Sequence, residues 1–365
     1  VPQDINKAIH YITLAANHHH SNAQYALGIL YLLGKYVKQD INKSIYYLTL
    51  AADQNNQDAS NDLGILYLQS NLIEQNISKS LYYFSHSNNS DVQYYLGMIY
   101  YEGKYVDIDI NKSINYLTKA ANQNHLKAQK FLGMLYYKGK DVKKDINKSI
   151  YYFSLAANQN DADSQNNLGA IYFDNKDIQI NISQSIHYFT LAANQNCLNA
   201  QYMLGVIYHY NKYGQKDLNK SIYYFTLAAE QNHSESQFYL GNIYYYKEYK
   251  HINIEKSIHY YELAANQGHQ LSQFMLSNIY IEGKYIQRDE KKSFHYLLQC
   301  AEQKNMHAQN IMGYYYLIKR DITNSIRYFT LAAKQNLTDA QFKLGDLYYN
   351  GIYVQRDIYK AIYYF

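Results

Sequence analysis

The chain has 365 residues, and its 34 Lys and Arg against 30 Asp and Glu leave a net charge of +4 with histidine neutral. So small an excess argues against a committed nucleic-acid or membrane-surface binder, while 16% aromatic residues, with 47 tyrosines, make the chain too apolar for disorder. No run of about 18 apolar residues is present to span a membrane, and two cysteines, Cys197 and Cys300, supply no disulfide framework, which fits a reducing, cytoplasmic setting.

In chain order, Asp4 opens a helical pattern that begins part-way through a unit, and the last pattern stops at Phe365, so the chain reads as a section of a longer protein. The first complete unit is anchored at Gly28. At 100° per residue, Ala23, Gln24, Leu27, Leu30 and Tyr31 share one face of a helix. Gly34 ends that helix as a left-handed cap, and Asp40 caps the next one by accepting orphan amide bonds. The unit then recurs with anchors at Gly64, Gly97, Gly133, Gly169, Gly205, Gly241, Ser277, Gly313 and Gly345, mostly 36 residues apart. Ten copies of one helical hairpin fill residues 1–365 as a single array.

The columns of the repeat define its faces. A tyrosine follows the anchor by three residues in every copy, including Tyr31, Tyr136, Tyr172 and Tyr208, and is read as buried. In the second helix, Ser149, Ile150, Tyr152, Ala156 and Ala157 form an apolar arc, with Lys148 and Tyr151 pointing the other way. A glycine inside a helix costs about 1 kcal/mol against alanine, so Gly28, Gly133, Gly205 and their counterparts are expected to face the Ala-Ala pair and permit close packing. Gly103, Gly139, Gly283 and Gly351 repeat the helix-ending role of Gly34, with Asn175 and Asn211 as substitutes. Two copies depart from the pattern. The third loses three residues and its Ala-Ala pair near 85–91, and the ninth loses four between 313 and 321.

The segment AQYALGILYLLGKYVKQDINKSIYYLTLAADQN and its counterparts resemble the Sel-1-like repeat, a relative of the tetratricopeptide repeat, over essentially the whole chain. The resemblance implies an all-α fold, a right-handed α-solenoid of about ten stacked helix-turn-helix repeats. It also implies a non-catalytic protein–protein interaction scaffold or adaptor, with no cofactor.

Catalytic and metal chemistry find no support in the pattern. The histidines, His18-His19-His20 included, fall into repeat columns: His20, His125, His233 and His269 share one position and His10, His187, His259 and His295 another. No cysteine accompanies them as a zinc ligand, and no phosphate-binding glycine loop appears. The offsets −3, +1 and +4 from the anchor lie opposite the constant face and vary between copies. Their aromatics, Tyr101, Tyr137, Phe173, Tyr202, Phe238, Tyr245 and Phe274, are the expected partner-binding residues, exposed along a groove of first helices that holds a peptide or protein segment. A lysine column, with Lys7, Lys43, Lys148 and Lys220 among nine, reads as a solvated edge. RNA binding by a helical-repeat reader is the alternative, opposed by the low charge and by Asp58, Asp91, Asp163, Asp174 and Asp346 in the groove. A further alternative is the interaction region of a larger signalling enzyme such as a kinase. Apolar faces left open at the two ends lead to an expectation of self-association.

Overall fold

A computed structural model describes residues 4–69, 71–174, 176–246 and 252–365. It contains 21 α-helices and one 3₁₀ turn, and no strand among the described residues. The chain divides into two compact units, Val1–Tyr188 and Phe189–Phe365, and within each unit consecutive helices pack on one another, as Ser90–Glu102 does on Ile110–Asn122 and Met306–Ile318 on Ile322–Ala333.

Local chemistry sets the helix ends. Second helices start behind an Asp or Asn whose carboxyl or amide oxygen accepts the amide three residues on, as Asp40 does from Lys43 at 3.0 Å and Asp145 from Lys148 at 3.0 Å. The same cap residue donates its own amide to the column tyrosine's carbonyl, for example Asp145 to Tyr136 at 3.0 Å, which fastens the loop shut. First helices such as Ser21–Leu33 end on left-handed glycine, Gly34 at φ 65°. A Cβ there would meet Gln39 Cβ at 2.8 Å, so both backbone and space demand glycine. Asn211 does not take that role: it begins the 3₁₀ turn Asn211–Tyr213, and Gly214 at φ 68° is the left-handed residue. Asn175 lies outside the described residues. Asparagine instead makes the turn after the second helix, where Asn124, Asn160 and Asn232 adopt φ of 61° to 64°.

Packing between helices uses the constant columns. All ten column tyrosines stack on a tyrosine of the following helix, with ring centres 5.6–6.2 Å apart and planes within 9°. Tyr136 and Tyr208 are buried, whereas Tyr31 and Tyr172 are half-buried. The anchor glycines do not face the Ala-Ala pair. A Cβ on Gly205 would stand 2.5 Å from the Phe225 ring, on Gly133 2.8 Å from Phe153, and on Gly28 2.8 Å from Leu48. Glycine is therefore required by the large side chain twenty residues on, which fills the groove between the two helices. Five anchor carbonyls also accept a buried serine hydroxyl, as Gly205 does from Ser221 at 2.9 Å.

The Ala-Ala pair serves the next junction. Gln129 donates to the Ala121 carbonyl at 2.9 Å and accepts from Gln159 at 2.7 Å, so one side chain ties the second helix before it to the second helix after it. Gln24 and Gln237 repeat the bridge. The two irregular copies carry visible changes: Ile77–Ser85 has nine residues where the second helices of the other copies before the last have twelve or thirteen, and Met306–Ile318 passes to Ile322–Ala333 through three residues.

Candidate functional site: clefts between first helices

Stacking identical hairpins leaves a furrow between the C-terminal ends of successive first helices. In the first unit, helices Gln57–Gln69 and Ser90–Glu102 border a cleft of about 720 Å³. Leu68, Tyr94, Tyr95, Met98 and Tyr105 give it an apolar wall, with Glu102 at the edge. Gln69 Nε2 donates to the Tyr95 hydroxyl at 2.5 Å, and Phe84 meets the Tyr95 ring edge-on at 5.8 Å. Burial, with a smaller contribution from Glu102, raises the Tyr94 hydroxyl above its ordinary pKa, so it stays protonated and available as a donor.

The next furrow, about 240 Å³, is lined by Tyr101, Phe131, Met134, Leu135 and Asp141, with Lys138 and Lys140 at its rim. Tyr101 donates to Asp141 Oδ2 at 2.7 Å and packs edge-on against Phe131 at 4.9 Å. That hydrogen bond, more than burial, raises the Tyr101 pKa.

Of the expected partner-binding aromatics, Tyr101 lines a cleft and Tyr137 is exposed. The others are half-buried rather than exposed. Tyr202 and Phe238 lie against the rings of His233 and His269, 4.7 and 4.8 Å away, and Tyr245 packs on Tyr246 at 4.8 Å. Phe274 packs on the Leu297–Met312 cluster. In the repeats of Tyr202 and Phe238, offset −3 sits under the capping histidine of the next first helix, which is why those two side chains are covered. Tyr95 and Phe131, at offset −2, were not among the expected residues, although the same angular arithmetic places them beside offset +1.

The histidine column has a structural use. His125 Nδ1 accepts the Ala128 amide at 3.1 Å and its Nε2 lies 3.1 Å from Asp91 Oδ1, so the imidazole caps one repeat while reaching back to another. His20, His233 and His269 cap in the same way. Among the described residues no three His, Cys, Asp or Glu side chains are grouped closely enough to hold a metal. The lysine column is not simply solvated, because eight ammonium groups lie 4.9–5.2 Å from the centre of a column tyrosine ring. Cys300 stands in an alanine position, and burial pushes its thiol up to about 11.

The sequence profile of the Sel1 repeat matches eleven consecutive segments from residues 1–20 to 338–365, the ten anchored copies plus the partial one before them. The chain belongs to the Sel1 repeat family. Proteins of this family are generally non-enzymatic interaction scaffolds. Among solved structures, this Sel1 chain is similar to a protective antigen of uropathogenic Escherichia coli displaying an SLR fold, at 25% identity and TM-score 0.67, covering 98% of this chain and 78% of that one. It is also similar to a Sel1 repeat protein from Oxalobacter formigenes, at 24% identity and TM-score 0.69, covering 83% and 90%. A comparison with curated proteins finds no match. Among the described residues of this Sel1 array, no helix is long and apolar enough to cross a membrane.

Proposed function

We propose that the chain is a non-catalytic adaptor that holds a protein segment along its first helices, gripping it in the furrows lined by Tyr94, Tyr95, Met98, Tyr101 and Phe131. The observation that carries this reading is the pair of adjacent aromatic clefts, each with polar groups at its edge. Apolar pockets with a few fixed polar groups are where partner side chains find most of their binding energy. The clefts carry charges of both signs, Glu102 and Lys104 in the first and Asp141 beside Lys138 and Lys140 in the second, so the segment it favours carries both apolar and charged residues.

The test is capture and identification of a partner by the intact chain, followed by Met98→Asp, Tyr101→Ser and Phe131→Ser. Loss of a hot-spot contact costs about 2 kcal/mol or more, roughly thirtyfold in affinity. Tyr151→Ser, on the exposed side of the second helix, should leave capture intact. If Tyr151→Ser abolishes capture and the cleft set does not, the working surface is the second-helix side.

A further inference from the structure

The ninth repeat lacks the part of its loop that other repeats tuck into their cores. In the eighth, Gly283-Lys284-Tyr285-Ile286 precedes the cap Asp289, and Ile286 packs on the cluster around Tyr261 and Ile279, as do Phe238, Tyr245, Ile258 and Met275. Val106 and Val142 occupy the same place in the third and fourth repeats. Eight residues separate Tyr280 from Asp289, but four separate Tyr316 from Asp321. Both cap amides still bond their tyrosine carbonyl at 2.9 Å, so the deletion removes the loop without releasing the helix start.

A cleft of about 370 Å³ stands where that loop side chain would be. Its walls include Ile281, Phe294, Ile311 and Tyr315, which are the counterparts of Tyr245, Ile258, Met275 and Ile279 around Ile286. Ile281 and Ile311 are 39% and 38% exposed, and Ile318 at the mouth is 79% exposed. At the rim Arg288 pairs with Glu290 at 2.8 Å, whereas Lys319, 5.8 Å from the Tyr315 ring centre, has no carboxylate partner among the described residues.

We propose that this cleft is a socket for an extended segment of a partner protein that supplies the missing aliphatic side chain, with an acidic residue beside it for Lys319. The aliphatic requirement comes from the valine and isoleucine that fill the sister positions. The acidic requirement comes from the charge left unpaired at the rim. This site lies within residues 270–319 and does not depend on the furrows of the first unit.

The probe is a fluorescein-labelled, blocked peptide, Gly-Glu-Tyr-Ile-Glu-Gly, read by anisotropy against the full chain. Saturable binding is expected, weakened about tenfold when the peptide isoleucine becomes serine and about fivefold by Lys319→Glu in the protein. Inserting Gly-Lys-Tyr-Ile after Ile318 restores the regular loop, and it should abolish binding while raising the thermal midpoint. Should that insertion disturb the helical circular dichroism, Ile311→Glu, at an exposed wall, takes its place with the same expected loss. The proposal is overturned by the absence of saturable binding below about 1 mM, by equal binding of the serine peptide, or by a filled loop that binds as well as the parent. A dimer in sedimentation that the peptide disperses would overturn the partner assignment in favour of a second copy of the chain.

Discussion

Lys148 Nζ lies 4.9 Å from the centre of the Tyr136 ring, and that ring stacks on Tyr152 with centres 6.0 Å apart. The lysine also lies 3.9 Å from Asp145, whose side chain caps the helix that Lys148 belongs to. One acidic residue, one cation and two rings thus join the end of a loop to the packing of two helices. The exposed ion pair is worth little alone, so the ring stack carries the weight.

Tyr136→Ala should lower stability by about 3–5 kcal/mol, as expected for loss of a buried aromatic. Lys148→Gln should cost about 0.5–1 kcal/mol, the range of an exposed cation–π contact. Denaturant midpoints check both, and equal losses would refute the ranking.

Gly205→Ser should destabilise by about 1–3 kcal/mol, because its Cβ is driven into Phe225. Ser277 already occupies the equivalent position in the eighth repeat, opposite Leu297 rather than an aromatic. Adding Phe225→Leu should therefore recover part of the loss, and a double-mutant cycle with no coupling would contradict the contact.

His233 gives the array a pH-dependent cap. Burial holds its imidazole below the ordinary range, with Glu235 acting weakly in the opposite direction. The folded chain therefore takes up the proton at lower pH than the unfolded chain. The contribution is complete above the unfolded value of about 6.5 and is lost as pH falls from there through the folded value. His233→Asn keeps a capping oxygen, so the midpoint of that variant should fall less than the parent's between about pH 7.5 and about pH 5.5.

Tyr137→Ser should change stability by no more than about 0.5 kcal/mol, since the ring is exposed. Phe238→Ser should cost about 1–3 kcal/mol, because that ring is half-buried against His269 and the Tyr261 cluster. Equal small effects from both would restore the view that these aromatics all face solvent.

Cys300, fully buried with its thiol pKa raised, should resist maleimide labelling until the eighth and ninth repeats open, while the partly exposed Cys197 reacts in the native chain. Mass spectrometry of labelled peptides across a denaturant series reads this directly.

The helices, their caps and the repeat boundaries were legible because each depends on residues close in sequence: Asp145 and Lys148 are three apart, and the Gly34 cap is local. The covering of Tyr202 by His233 was not legible, since 100° arithmetic describes one helix and says nothing of the neighbour that lies over it. The same limit applies to Gly205. Its column implied a close approach, but only the packed structure shows that Phe225 rather than alanine makes it. The histidine column was visible as a column, yet its capping role needed the Nδ1 geometry.

The glutamine bridge described above has two gaps. Ser60 stands in the glutamine column and bonds its own helix at Asn56, and Gln93 donates to the Ser87 carbonyl while its Oε1 is buried with no partner among the described residues. Gln123, placed to answer Gln93, bonds Lys119 instead. In an array whose stability is a sum of local and nearest-neighbour contributions, such a junction is a seam at which cooperative opening stops. The seam coincides with the 720 Å³ cleft. If this cleft binds a segment as proposed, it is expected to widen around that segment at lower cost than clefts beside bridged junctions, with the cost set by two polar positions that do not line it.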